Sequence, residues 1–510
     1  MSRDELLVVV DRQAGRLAEQ AGQLGARDRQ IAGMAGQLAE LMEANEALAS
    51  KLARLEHLLS RNSGNSSSPP SRDDDPGKPP APGKRKRGSG PARARGKQPG
   101  APGSHLAWTD DPHERRDRFP TGHCDCGADL ADAADLGVVD RYQQHEIPQV
   151  AVRITQYDQH EVACCGCRRR HTATRPEGAR PGPVGYGPHL AAFAVYLMVM
   201  HFVPAHRVVT LLESLTGTAP SVGFVHGLLA RTAGVLGAVH DRIRTLITLA
   251  YAVCCDETPL RVGSRTPKPG KTKAERYLLV ACTDLYTHYL LGDRSLDTFK
   301  ASVLAERAAA GKVVVHDRYQ NYDSGEFAGL VHQLCTAHLL RDLDDAAQIY
   351  PDALWPPQIS RALRELIHHA NLARHAGEPA IETEVCDTLI SRFRHGVRAG
   401  LSDTRHHGSR PGERKARLLL EVLRDRQTDV LRFAHDLAVP PTSNQAERDL
   451  RPSKCQQNVS GRLTSEDRTR DRYTIRGYLS TAIKHGRNAL TVLRDVLLGR
   501  PWMPELPAPT

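Results

Sequence analysis

Four short apolar runs lie between residues 249 and 317, and no other stretch limits the fold so tightly. The first, LAYAVCC at 249–255, has the length and composition of a buried strand. It delivers an acidic pair, Asp256-Glu257, and stops at Pro259. Two further strands are expected at 276–282 and 286–291, a helix at 298–310, and a fourth, β-branched strand at 311–316 that ends in Asp317. By itself Asp256 reads as an ordinary strand-end carboxylate. A second strand ending in an acid changes that.

Three strands, a helix and a fourth strand, with acids closing the first and the fourth, is the ribonuclease-H-like order. It makes the two acidic ends neighbours in one sheet, at the edge where α/β sheets bind ligands. Adjacent carboxylates repel, and each is costly without a cation. Hard oxygen donors suit two magnesium or manganese ions. The third acid must come from elsewhere, and SNQAERDLRP at 443–452 offers it. Helical spacing sets Asn444, Glu447 and Arg451 near one face with Arg448 beside it. Glu447 can then point at the metals, while Asn444, Arg448 and Arg451 either hold it or contact phosphate; Arg448, Arg451 and Lys454 are the expected DNA contacts. Taken alone, a Glu-Arg helix is a solvated face.

The rest of the chain adds binding features. Its net charge is +10 over 510 residues, which points to a polyanionic partner, nucleic acid first. Residues 10, 17, 24, 31, 38, 45, 52 and 59 form a seven-residue series, apolar except for Asn45. Met34, Leu41, Leu48 and Leu55 complete an a/d seam. This predicts a coiled coil, and through it a homodimer; a lone amphipathic helix folding back is the alternative. A Pro/Gly/Ser-rich linker follows with a basic run, Lys84, Arg85, Lys86 and Arg87, suited to tracking phosphates.

Next come two cysteine knuckles. Cys164 and Cys167 have C-x2-C spacing. The first knuckle offers Cys126 with either His123 or Cys124. Strand-like stretches between them, such as 142–152, suggest a zinc ribbon around one structural zinc, with free thiols as the alternative. From 187 to 248 the pattern is helical, with a break at Gly217 and a cap near Ser221. Helix, short turn, helix fits a helix-turn-helix reading a major groove, and equally plain helical packing.

There is no run of eighteen apolar residues, so no membrane span is expected. The N-terminus is too soon charged for a signal peptide. Eleven cysteines without an export signal argue for thiols and metal ligands. The expected compartment is the cytoplasm, at the nucleoid.

Together, Asp256-Glu-Thr-Pro, His316-Asp-Arg-Tyr, Cys335-Thr-Ala-His338 with Arg341, and Asn444-Gln-Ala-Glu-Arg448 with Leu450-Arg-Pro452 resemble the signature segments of insertion-sequence family 66 transposases. The similarity runs from about residue 10 to about residue 495. It implies a DDE-type enzyme that binds terminal inverted repeats and catalyses metal-dependent cleavage and strand transfer on double-stranded DNA, at transposon ends and target, with accessory proteins of the same element as possible partners. Asp256, Asp317 and Glu447 match the acidic triad; His316, Cys335 and His338 match positions beside the active site. The irregular first knuckle departs from the family's two C-x2-C pairs.

The expected α/β multidomain organisation is a coiled coil (1–60), a basic linker (61–108), a zinc-ribbon-like domain (109–180), a helix-turn-helix-like domain (181–248) and the first part of a ribonuclease-H-like core (249–342). A helical insertion (343–437), the core's C-terminal part with the Glu447 helix (438–498) and a tail (499–510) complete it. The competing functions are a non-catalytic DNA-binding regulator, a nuclease of the same fold that does not join strands, and a scaffold built on the coiled coil.

Overall fold

A computed structural model describes residues 106–506, apart from 148–149, 180–181, 267–274 and 406–410, together with a few helical positions between residues 12 and 33. The coiled-coil seam, most of the linker with Lys84 to Arg87, and the greater part of the basic turn after Arg261 lie outside the described residues. Those described from 106 to 152 belong to one compact unit, and those from Arg153 on, with the few positions between 12 and 33, to another.

The first unit carries a short turn of helix at Leu130–Asp132, capped by the Asp129 carboxylate on the Ala131 amide. The strands expected at 142–152 are absent among the described residues. Val139, Tyr142 and Ile147 are exposed, so the apolar alternation has no second layer to cover it.

The second unit is built on a five-stranded sheet: β3 (Ala252–Leu260), β4 (Arg276–Cys282), β5 (Thr287–Gly292), β6 (Val313–His316) and β7 (Val331–Leu334), numbered after a small hairpin of β1 (Glu161–Ala163) and β2 (Arg170–Thr172). The order is β5-β4-β3-β6-β7, antiparallel among the first three strands and parallel from β3 to β6 to β7.

Three sequence expectations are corrected here. The first strand is Ala252–Leu260, because Leu249 closes the preceding helix. Asp256 is therefore not at a strand terminus. Its strand continues along β4 to Leu260, but parallel pairing with β6 ends at Cys254. From Asp256 on, that edge of β3 is open, which also lets Pro259 sit in the strand. The helix expected at 298–310 is broken. Leu296–Phe299 and Ala305–Ala309 flank a π turn at Lys300–Leu304 in which Ser302 is non-helical, and the Ser302 carbonyl accepts from Arg244 (2.7 Å).

The third correction concerns residues 181–248. They form α1 (Pro188–Val199), α2 (Ala205–Thr216), α3 (Val222–Val235) and α4 (Gly237–Leu249). Gly217 ends α2 at φ +68°, and Ser221 caps α3 through the Phe224 amide. They are not a separate domain. Val195, Val208, Leu229 and Ile243 share one core with Val253, Cys255, Leu279 and Val314 of the sheet. The opposite sheet face packs Cys254, Leu278, Val280 and Val315 against Ala446 and Leu450 of the helix Asn444–Val459.

That helix follows a five-helix bundle inserted after β7: Thr336–Ile349, Trp355–Ala376, Thr383–Asp403, Pro411–Asp425 and Gln427–His435. The bundle has its own core around Trp355, Leu363, Phe393, Leu420 and Phe433. Gln333 in β7 ties it to the sheet, donating to Val430 O and accepting from the Phe433 amide. The C-terminal stretch forms two helices, Glu466–Lys484 and Ala489–Leu497, with Gly486 at φ +71° between them. Among the described residues no single helix is long and apolar enough to cross a membrane.

Candidate active site

Alternation along β3 decides which way its acids face. Val253 and Cys255 belong to the core beneath α1–α4, and Cys254 to the core beneath the Asn444–Val459 helix. Asp256 therefore shares the face of Cys254, toward that helix, and Glu257 takes the other. On β6, Val313 and Val315 lie on the Cys254 face and Val314 on the other, so Asp317 follows Val315. The β3–β6 register pairs Cys254 with Val315. Continued by two residues, it sets Asp256 across from Asp317. Glu447 lies in the first turn of the Asn444–Val459 helix, above this edge.

The electrostatics agree with that placement. Burial first, then the Asp317 charge, pushes Asp256 up to about 6, and the charge of Glu447 adds to the rise. Glu257 is pushed up to about 7, again by burial and then Asp317. Asp256 accepts from the Glu257 amide (2.8 Å) and Asp317 from the Tyr319 amide (2.9 Å). Glu447 is held by Arg341 at 2.8 Å, with His338 Nε2 at 3.7 Å. Ligand atoms of the three acids do not all come within 4.8 Å of one another. Among the described residues only His316, Asp323 and His332 do so. Glu447 is drawn to Arg341 instead of to the two aspartates.

Cys335 caps the helix Thr336–Ile349 and fixes the loop that launches Glu447. Its Sγ accepts from the Ser443 amide (3.2 Å), and the Thr336 amide and hydroxyl both donate to Pro441 O. Burial raises the Cys335 thiol, but its contacts with His338 and Ser443 outweigh it and the net direction is down. Burial lowers His338, and Cys335 reverses it to a net rise. The Nδ1 of His338 is buried without a hydrogen-bond partner. Asn444, Arg448 and Arg451 are exposed along one face of the Glu447 helix and Lys454 is half-buried. Arg448 donates to Gln445 (2.7 Å).

Sequence reasoning named Glu257 but gave it no partner. Arg294 binds its carboxylate at 2.7 Å, Tyr322 donates to it at 3.3 Å, and the guanidinium is sandwiched between the rings of Tyr277 and Tyr319. Arg294 lies just beyond β5 with no local motif, so only the tertiary contact reveals it. His316 is fully buried, on the opposite face from Asp317, and stacks on Tyr322.

The two cysteine knuckles belong to different compact units. Gly127 N donates to Cys124 O, and His123 pairs with Asp129 in an isolated bridge; Cys124 and Cys126 are exposed. Cys164 and Cys167 sit in the β1–β2 turn, where Arg168 adopts φ +57°. Hydrogen bonds from the Cys167 and Gly166 amides hold the Cys164 thiol below its usual value.

Comparison with known families first defines the class: the chain is a transposase, an enzyme that cleaves nucleic acid and acts on DNA. More particularly, it belongs to the IS66 transposase family, whose model matches residues 184–470, over half of its length. A family of unknown function (DUF6444) matches residues 22–107. No curated protein matches the chain.

Proposed function

We propose that the chain is a DDE-type transposase with a ribonuclease-H-like core, in which Asp256, Asp317 and Glu447 hold two magnesium-class ions and the enzyme cleaves inverted-repeat ends and joins them to target DNA. The observation that supports this reading is the β3–β6 register, which, continued by two residues, brings two half-buried acids opposite one another near the turn that bears Glu447.

The donor set fits such ions. All three residues offer hard carboxylate oxygens, and Asp256 is raised because it is desolvated beside the like charge of Asp317. When bound, the ions would activate the attacking water or 3′-hydroxyl and stabilise the leaving oxygen. The chain's own residues do the rest. Asp256 and Asp317 are held by backbone amides. Glu447 rests on Arg341 and must leave it to join the aspartates. Arg448 and Arg451, on the adjoining exposed face, are positioned to hold phosphates of the incoming strand. Glu257, neutralised by Arg294, orders the backbone of Asp256 from the opposite face.

The zinc reading continues as a proposal in which Cys164 and Cys167, already in a tight turn with one lowered thiol, supply two of the ligands.

The test is magnesium-dependent nicking and strand transfer on DNA carrying the element's ends. Asp256→Asn, Asp317→Asn and Glu447→Gln should each abolish cleavage while end binding persists. Full cleavage by any purified variant removes that residue from the triad.

A further inference from the structure

We propose a second metal site, distinct from the carboxylate triad, in which His316, His332 and Asp323 bind a zinc-class transition ion between the ends of β6 and β7. These are the only described residues that bring three ligand atoms within 4.8 Å of one another. His316 closes β6 and His332 lies in β7, and parallel pairing of these strands brings the rings together. Asp323 arrives on the turn after Tyr322.

The tautomers suit a metal. His316 Nδ1 lies against the Asp317 carbonyl, to which it can only donate. Its Nε2 therefore presents a lone pair, and it points at His332 Nδ1, 2.9 Å away. A ligating histidine that gives its other N–H to a carbonyl is the usual arrangement at metal centres. Two nitrogens on one tetrahedral ion, each about 2.0–2.1 Å from it, stand about 3.3 Å apart, so the rings need to separate by under half an ångström or so. The ring of His316 is fixed by stacking on Tyr322 at 4.3 Å.

Asp323 supplies the third donor. Arg426 binds its Oδ2 at 2.9 Å, which leaves Oδ1 free and orients the carboxylate from behind. The fourth position would be water, because a cavity of about 420 Å³ opens beside Asp323, His332 and Arg426. Two imidazoles and one carboxylate favour zinc over magnesium, whose preferred shell is all oxygen. The ion would brace the segment whose next residue is Asp317, a positioning role for the neighbouring carboxylate site.

The test uses the full chain and Zn²⁺ alone. Zinc content after dialysis should fall by one equivalent per chain from wild type to His332→Ala, whatever the Cys164/Cys167 knuckle holds. Cys164→Ser/Cys167→Ser should leave that equivalent in place. Asp323→Asn, on a half-exposed side chain whose loss does not threaten folding, should weaken this zinc at least tenfold against a competing chelator. Zn²⁺ should also raise the melting temperature of wild type over chelator-treated protein, and of neither variant. Unchanged zinc content and unchanged competition in both variants, or wild type without this equivalent, overturns the proposal. In that event the two rings share only a proton.

Discussion

Asp256 carries two opposed demands. Its carboxylate is buried beside Asp317, which favours a bound cation and disfavours the cation-free fold. Its pKa in the folded protein, about 6, lies above the ordinary 3.8. The folded state therefore holds this proton more tightly than the unfolded state does. Stability from this group is greatest below pH 4 or so and is lost as pH rises through about 6. Asp256→Asn removes the charge and keeps the shape. Without divalent ions it should melt higher than wild type at pH 7.5, and the difference should shrink toward pH 4.5. Magnesium should raise wild type and not the variant. Thermal melts across pH check this, and a variant that melts lower at pH 7.5 contradicts the burial account. A second residue-scale expectation concerns Arg307, which is fully buried and donates to the carbonyls of Ile247, Thr248, Ala250, Tyr251 and Val313. It closes the C-terminus of α4 against the start of β3. Arg307→Ala leaves several buried carbonyls unpaired, at about 1–3 kcal/mol each for those that water cannot reach, so chemical denaturation should show a loss of several kcal/mol.

At the scale of elements, the helix that bears Glu447 is held by a buried ion pair. Lys484, near the end of Glu466–Lys484, donates to Asp449 (2.9 Å), to Thr287 Oγ1 and to two carbonyls of the β4–β5 turn; both charged side chains are only about a tenth exposed. Asp449 also accepts from Thr287 and Gln445. Breaking such a pair by removing one partner costs about 3–5 kcal/mol. Lys484→Met should destabilise strongly, Asp449→Asn likewise, and the double variant by less than the sum. Additive losses in the double-mutant cycle would show that the pair is not a unit. Much of this scale was legible in the chain. The apolar runs marked β4 and β6 almost to the residue, and Gly217 and Ser221 marked the turn between α2 and α3. What stayed hidden was long-range. Strand β7, VHQL, is only four residues long and sets two polar residues side by side between two apolar ones, so it shows no period-two pattern. The single core shared by α1–α4 and the sheet, and the partners Arg294 and Lys484, depend on contacts across tens to hundreds of residues that no local pattern carries. Of the candidate site, the shared face of Asp256 and Asp317 follows from strand alternation, while Arg341's hold on Glu447 has no local signal.

For the whole molecule, the proposed function divides catalysis and DNA holding along the chain. The proposed triad, with Arg448 and Arg451 on the same helix, belongs to the unit from Arg153 onward, whereas the basic run Lys84–Arg87 precedes it by more than sixty residues. Sequence-independent attraction to duplex DNA comes from counterion release, with a slope of log affinity against log salt of about −0.9 per phosphate neutralised. Replacing Lys84, Arg85, Lys86 and Arg87 with serine should flatten that slope for end and non-end DNA alike and leave the cleavage rate of saturated enzyme near wild type. Arg448→Ala with Arg451→Ala should do the reverse, changing the slope by no more than about two phosphates' worth while lowering cleavage at saturation. Deleting residues 1–60 should lower the mass by light scattering without altering the single-chain nicking rate, because the heptad seam is expected to join chains and carries none of the three proposed catalytic acids. Fluorescence titrations at several salt concentrations, run beside single-turnover cleavage, separate these effects. If the serine replacements cut the saturated rate while the slope stays put, the linker is acting on chemistry and the division of labour is wrong.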